Sequence, residues 1–136
     1  MALAPGLMAS VRTVVADVDT AAVAGSGDVP VLATPRLLAL AEAASVAAVT
    51  PYLEPGFTSV GTSIAMEHKR ASPVGAEVVV EAELTEVDGR RLVFSFIARQ
   101  TRPGATPGED DPVVGAGTVE RVLVERERFL SHARQT

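Results

Sequence analysis

The stretch that decides the fold is LLALAEAASVAAVTPYL, which runs from Leu37 to Leu53. It contains a single charged residue, Glu42, and apolar residues at nearly every helical position. A helix that is apolar on nearly every side is buried over most of its surface. The sequence therefore predicts a central helix, buried nearly all round, that carries one carboxylate in its middle.

The residues that flank this stretch predict where the helix begins and ends. Thr34 is a favourable N-cap, and Pro35 suits the first helical turn because its missing N–H has no intrahelical acceptor there. Pro51 and Pro55 interrupt the helical pattern on the other side. The predicted helix therefore begins at Thr34 and stops around TPYLEPG (residues 50–56).

Most of the remaining chain has the pattern of β-strands. Strands are predicted in LMASVRTVVADV (7–18), FTSVGTSIAMEHKR (57–70), AEVVVEAELTEV (76–87), RLVFSFIARQT (91–101) and VVGAGTVERVLVERERF (113–129). Alternation in the second of these predicts one shared face for Val60, Thr62, Ile64, Met66 and His68. DGR (88–90) predicts a hairpin, RPGATPGEDDP (102–112) a polar loop, and DTAAVAGSGDVPVLA (19–33) a loop or mobile cover.

One apolar helix combined with long antiparallel strands predicts an α+β fold. A curved antiparallel sheet wrapped round a central helix is the hot-dog arrangement. We expect residues 1–136 to form a single hot-dog domain, with a flexible N-terminus at about 1–7 and a tail at about 130–136. A domain of this kind leaves part of its sheet or helix uncovered, so a homodimer is expected.

Composition excludes several classes of function. The formal net charge of −5 argues against a nucleic-acid partner, and the lack of cysteine excludes disulfides and thiolate metal sites. The chain has only two histidines, His68 and His132, so we do not expect a histidine-rich metal centre. The 37–53 stretch is too short and too charged for a membrane span, and Arg12 and Asp17 interrupt any secretory signal. We expect a cytoplasmic protein with no membrane partner.

Four short motifs resemble one family of hot-dog proteins. These are PYLEPG (51–56), GT (61–62), DGRRL (88–92) and GAGTVER (115–121). In their order and separations they are similar to the fluoroacetyl-CoA thioesterase group, over a span from Thr34 to about Phe129. The resemblance implies a homodimeric hot-dog fold, hydrolysis of acyl-CoA thioesters, and no metal or organic cofactor.

The resemblance also implies a set of site residues. The catalytic threonine, glutamate and histidine fall on Thr34, Glu42 and His68, and the substrate contacts fall on Gly61 and Arg121. The family member that handles fluoroacetyl-CoA has phenylalanines in the segment before the helix, whereas AAVAGSGDVPVLA (21–33) has no aromatic residue. This difference predicts a short or compact acyl substrate without selectivity for fluorine.

Each site residue has a structural interpretation beside the functional one. Glu42 is also consistent with an exposed position at the edge of the helix, and Thr34 with a helix cap alone. His68 is consistent with a structural position at the end of a strand, although it shares its predicted face with apolar residues. Gly61 suits a bulge or a close approach of helix and strand, and Arg121 a surface ion pair. His132, in a polar segment, is predicted to be solvated.

The spacing of Thr34 and Glu42 limits how they act together. Eight residues of α-helix separate them by roughly 12 Å along the axis and about 80° around it, so they do not hydrogen-bond directly. Either a histidine on a neighbouring strand bridges part of the gap, or a second subunit supplies one member. Both arrangements are open from the sequence.

The leading hypothesis is an acyl-CoA thioesterase in which His68 is the general base and Thr34 supplies or positions the attacking oxygen. Glu42 then orients the histidine or attacks the carbonyl itself. An enoyl-CoA hydratase is disfavoured because the helix has neither histidine nor aspartate. A non-catalytic hot-dog protein that binds acyl-CoA or serves in assembly is the alternative from another class.

Overall fold

A computed structural model describes residues 3–135 of the chain; Met1, Ala2 and Thr136 lie outside the described residues. The strands are β1 (Met8–Val14), β2 (Phe57–His68), β3 (Glu77–Asp88), β4 (Arg91–Thr101) and β5 (Val113–Glu125). The helices are α1 (Ala21–Ala24), α2 (Thr34–Val49) and α3 (Arg126–Arg134). Short 3-10 turns at Asp17–Asp19 and Thr50–Tyr52 precede α1 and follow α2.

The five strands form one antiparallel sheet in the order β1-β3-β4-β5-β2. β3 and β4 form the predicted hairpin, in which Gly89 takes a positive φ of 61° that favours glycine. β1 and β2 are the two edges of the sheet. The helix-and-antiparallel-sheet layout predicted from the sequence is confirmed.

The core lies between one face of α2 and the sheet. The helix contributes buried residues at helical spacing, namely Leu37, Leu40, Ala41, Ala44, Ala48 and Val49. The sheet contributes alternating buried residues, among them Val78, Val80, Ala82, Leu84, Leu92 and Phe94. Half of these helix residues are alanines, whose small side chains allow the helix to pack closely against the sheet.

The prediction that α2 is buried nearly all round is wrong for a single chain. The exposed side of the helix carries Ala39, Ala43, Val46 and Ala47. Val46 is 37% exposed. The sequence pattern showed an apolar surface but not what covers it, and one five-stranded sheet covers only one side of a helix.

The start of α2 also differs from the prediction. Ala33, not Thr34, is the N-cap residue, and it makes no side-chain capping bond. Its carbonyl accepts the N–H groups of Arg36 and Leu37, both at 3.0 Å. Thr34 is the first helical residue, with Pro35 in the first turn as predicted. The Thr34 hydroxyl is therefore free of the capping role and bonds a different partner.

A β-bulge changes the predicted faces of β2. The register of β2 against β5 shifts between Gly61 and Ser63, so Thr62 is an extra residue in β2. Residues before and after the bulge alternate out of phase. Gly61 and Ile64 therefore share the helix-facing side, and the prediction that Val60 lies on the same face as Ile64 is wrong.

The flexible N-terminus at about 1–7 and the tail at about 130–136 stay predictions, and Met1, Ala2 and Thr136 of these segments lie outside the described residues. Gly6 N–H donates to the carbonyl of Leu84, and Leu84 N–H donates to the carbonyl of Leu7, both at 2.8 Å. Leu3 and Leu7 pack against the core. At the other end α3 continues to Arg134. No helix among residues 3–135 is long and apolar enough to cross a membrane.

Candidate active site

Thr34 and His68 meet where α2 begins and β2 ends. The Thr34 Oγ1 atom lies 2.8 Å from His68 Nδ1. Opposite His68 on β5 is Gly115, where an added Cβ would lie only 3.0 Å from Leu37 Cδ2 and 2.6 Å from the carbonyl of Glu67. Glycine at this position lets the first turn of α2 lie directly on the sheet, which brings Thr34 within hydrogen-bonding distance of the histidine.

The environment of His68 favours its neutral form. Burial lowers the pKa of His68 below its ordinary value, and the nearby backbone of Arg70 opposes the shift only in part. Nε2 is buried and has no hydrogen-bond partner among the described residues. The direction of the bond depends on the tautomer: with the ring proton on Nδ1 the imidazole donates to Thr34, and with the proton on Nε2 the Thr34 hydroxyl donates to Nδ1. The second of these is the arrangement of a hydroxyl activated by a general base.

The pair opens into a cavity of about 300 Å³. Besides Thr34 and His68, the cavity is lined by Ala21, Ser26, Gly27, Val29, Val31, Leu32, Lys69, Arg70 and Ala71. No phenylalanine, tyrosine or tryptophan among the described residues lines it. The predicted cover segment (19–33) thus forms one wall, and its side chains are small.

The cover segment is attached to the fold at its base. Asp19 Oδ1 accepts a hydrogen bond from Arg36 Nε at 2.9 Å, which ties the segment to the first turn of α2. Leu32 N–H donates to the carbonyl of Ser72 at 2.8 Å, and Thr20 and Leu32 form an isolated β-bridge. The tip between residues 22 and 30 is exposed. The ion pair was not foreseen, because an isolated aspartate and arginine 17 residues apart carry no sequence signal.

A second group of predicted site residues lies further along α2. Arg121 Nη1 donates to Glu42 Oε2 at 2.9 Å, and the Glu42 side chain is 32% exposed against 8% for Arg121. Gly61 lies opposite Arg121 on β2, and an added Cβ at Gly61 would lie 2.3 Å from Glu42 Oε2. The lack of a side chain at Gly61 lets the carboxylate lie directly against the backbone of β2.

Within one chain the structure does not bring Glu42 to His68. The only hydrogen-bond and ion-pair partner of Glu42 among residues 3–135 is Arg121. The predicted site residues form two groups: the Thr34–His68 pair, and the cluster of Glu42, Gly61 and Arg121. His132 belongs to neither group and lies on α3.

Arg121 is not part of a surface ion pair with its neighbour Glu120. Glu120 instead accepts a hydrogen bond from Arg91 Nε at 2.6 Å. Adjacent residues of a strand point to opposite faces, so Glu120 lies on the side away from α2. No group of three or more histidine, aspartate or glutamate side chains in the described part of the chain is arranged to hold a metal ion.

Comparison with known proteins gives the family to which this site belongs. Residues 15–127 match the family described as fluoroacetyl-CoA-specific thioesterase. The chain belongs to this family. The resemblance noted from the four sequence motifs is thereby confirmed, and the chain is a thioester hydrolase.

Individual relatives support the same assignment. The chain is 43% identical over 105 residues to a fluoroacetyl-CoA thioesterase of Streptantibioticus cattleyicolor, an alignment that covers 77% of this chain and 69% of the relative. The solved structure of the fluoroacetyl-CoA thioesterase FlK is 34% identical, with a TM-score of 0.85 over 100% of this chain and 98% of that chain. A hypothetical protein of Thermus thermophilus from the thioesterase superfamily is 25% identical, with a TM-score of 0.84 over 97% and 91% of the two chains. The predicted hot-dog fold is confirmed.

Proposed function

We propose that this chain hydrolyses short or compact acyl-CoA thioesters to a free acid and CoA, with Thr34 and His68 as the reacting pair. The observation that carries the proposal is the 2.8 Å contact between the Thr34 hydroxyl and His68 Nδ1 at the wall of a small cavity. The comparisons support hydrolysis over the alternative of a non-catalytic acyl-CoA-binding or assembly protein.

The contact suits general-base catalysis. His68 Nδ1 takes a proton from the Thr34 hydroxyl, or from a water that this hydroxyl positions, and the freed oxygen attacks the thioester carbonyl. The C–S bond then breaks, and the imidazolium returns the proton to the departing CoA thiolate. Where Thr34 itself attacks, a water activated by the same histidine releases the acid from the acyl-threonine ester.

The negative charge that develops on the carbonyl oxygen needs a positive neighbour. Thr34 lies at the N-terminus of α2, where the backbone N–H groups and the helix dipole favour an anion. The family resemblance assigns a further contact to the N–H of Gly61. We propose that both contribute, with the N–H of Gly61 supplied by a second subunit, because within one chain Gly61 lies beside Glu42 and apart from the Thr34–His68 pair.

We propose that the active protein is a homodimer formed through the edge strand β2. β2 is an edge strand of the sheet. Several of its own residues are exposed, namely Gly61, Thr62, Ser63, Ala65 and Glu67. The uncovered side of α2 is apolar, which a second subunit would bury. Antiparallel pairing of two β2 edges reverses the direction of the second copy. It thereby carries Glu42 of one subunit toward the Thr34–His68 pair of the other.

This arrangement predicts complementation between two inactive variants. A dimer with one Thr34→Ala subunit and one Glu42→Gln subunit retains one intact site if Thr34 and Glu42 come from different subunits. Purified through two different tags, it is expected to show about half of the wild-type rate per dimer, since one of two symmetric sites is complete. A mixed dimer no more active than its parents would place the whole site in one chain, and a monomer by light scattering would remove the shared site altogether.

The substrate proposal is tested by release of free thiol from a panel of acyl-CoA thioesters. Without a phenylalanine, tyrosine or tryptophan among the described residues of the cavity wall, we expect the kcat/KM values for acetyl-CoA and fluoroacetyl-CoA to agree within about tenfold. A much larger preference for the fluorinated substrate would show that another element confers selectivity. No thiol release from any member of the panel would favour the binding protein instead.

A cytoplasmic location belongs to the same proposal. It rests on the cysteine-free composition and on the acyl-CoA substrate, and microscopy of the tagged chain in its own cell tests it.

A further inference from the structure

Ser59 is a buried serine on β2, two residues before Gly61, that no sequence motif singled out. Only 9% of its surface is exposed. Its hydroxyl oxygen accepts a hydrogen bond from Arg121 Nε at 2.8 Å, and its carbonyl accepts one from Arg121 Nη2 at 2.9 Å. One residue thus binds the guanidinium along one whole edge.

These two bonds fix the direction in which Nη1 of Arg121 points. A guanidinium is planar, so two hydrogen bonds along one edge fix its orientation. Nη1 then points at Glu42 Oε2. A buried guanidinium needs both hydrogen bonds and a counter-charge, and the structure supplies the former from Ser59 and the latter from Glu42.

Gly61 restricts the same carboxylate from another side. Because an added Cβ there would lie 2.3 Å from Glu42 Oε2, the carboxylate packs directly against the backbone of β2. Ser59 and Gly61 lie on the same face of the strand, before the bulge. The carboxylate is therefore held between the strand backbone and an arginine whose position Ser59 sets.

We propose that Ser59 is a positioning residue for the thioesterase reaction, which acts through Arg121 to hold the Glu42 carboxylate in place. Ser59 itself does not touch the substrate. The inference rests on the proposed function with Glu42 in the role that the sequence hypothesis gives it, in which it orients His68 or attacks the carbonyl. A purely structural role for Ser59 would affect turnover whatever residue stands at position 42. The proposed positioning role affects turnover only when Glu42 is present.

The test compares Ser59→Ala in the wild-type and in the Glu42→Gln backgrounds, with acetyl-CoA as substrate. In the wild-type background, loss of the hydroxyl is expected to lower kcat about tenfold and to change KM less than about twofold. In the Glu42→Gln background the same substitution is expected to leave kcat unchanged, because the group that it positions has lost its charge. Ser59→Thr, which retains the hydroxyl, is expected to restore most of the rate, and Ser95→Ala, an exposed serine on β4, to match the wild type.

Three outcomes would overturn the proposal: unchanged kcat in Ser59→Ala, an equal loss in both backgrounds, or full turnover in Glu42→Gln. The last would also remove Glu42 from the proposed mechanism, whereas the first two leave acyl-CoA hydrolysis and the role of Glu42 intact. If Ser59→Ala does not fold, Ser59→Cys in both backgrounds replaces it, since the thiol has a similar size and accepts hydrogen bonds only weakly.

Discussion

Replacement of His68 by alanine is expected to lower kcat/KM for acyl-CoA hydrolysis by about 10²–10⁴-fold, the usual contribution of a general base. The histidine is the only base within hydrogen-bonding distance of the Thr34 hydroxyl among residues 3–135. Its Nε2 atom makes no hydrogen bond that the substitution would break. The fold should therefore persist, which circular dichroism of the variant checks alongside thiol release.

His132→Ala is the matched control, because this second histidine lies on α3 and outside both groups of site residues. Its activity should equal that of the wild type. The pH profile gives a further check on the base. Burial lowers the pKa of His68 below its ordinary value of 6.5, so the imidazole stays neutral to a lower pH. The pH at which kcat/KM is half-maximal on the acid side should therefore lie below 6.5. An acid limb well above 6.5 would point to another group as the base.

Substitution of Glu42 by glutamine is expected to lower kcat by orders of magnitude, because the amide keeps the shape but removes the negative charge. If the carboxylate were unpaired in an apolar helix, this variant would be as stable as the wild type or more stable. The ion pair changes that expectation: Arg121 is 8% exposed, and Glu42→Gln leaves it without a counter-charge. We expect a loss of about 1–2 kcal/mol in unfolding free energy, below the cost for a fully buried pair because Glu42 is partly exposed and the amide still accepts a hydrogen bond.

Urea unfolding and thiol release, measured on the same preparation of Glu42→Gln, separate the loss of stability from the loss of kcat. Glu81→Gln, an exposed carboxylate on β3, controls for a general loss of negative charge. Unchanged turnover in Glu42→Gln would reduce Glu42 to the counter-ion of a buried arginine. Catalysis would then depend on Thr34 and His68 without it.

The local features of the fold were predictable because they follow from short-range patterns. The central helix, the β3–β4 hairpin and the long strands each have a periodicity or a turn sequence of their own. Gly61 indicated a possible bulge, but it did not show that the strand changes phase there, and the bulge at Thr62 reversed the predicted face of Val60. The capping role predicted for Thr34 was wrong for a related reason: a partner 34 residues away, His68, takes its hydroxyl.

The sequence named candidate site residues, which stay predictions, but it did not indicate the contacts between them. Thr34, Glu42 and His68 were named from the family resemblance and from the unusual position of a charge in an apolar helix. Ser59 was missed, because a serine in an alternating strand looks the same whether it faces solvent or binds an arginine 62 residues away. Contacts of this range depend on how α2 lies across the sheet, and local sequence does not encode that placement.

The central claim is that Thr34 and His68 act as one unit in the hydrolysis of acyl-CoA. A double-mutant cycle with acetyl-CoA tests it most directly, comparing kcat/KM of the wild type, Thr34→Val, His68→Ala and the double variant. When two groups act as a unit, the effects of removing them on kcat/KM are strongly non-additive. The kcat/KM of the double variant should therefore lie within about threefold of that of the slower single variant. Losses that multiply in the double variant, or a Thr34→Val variant as fast as the wild type, would contradict the account.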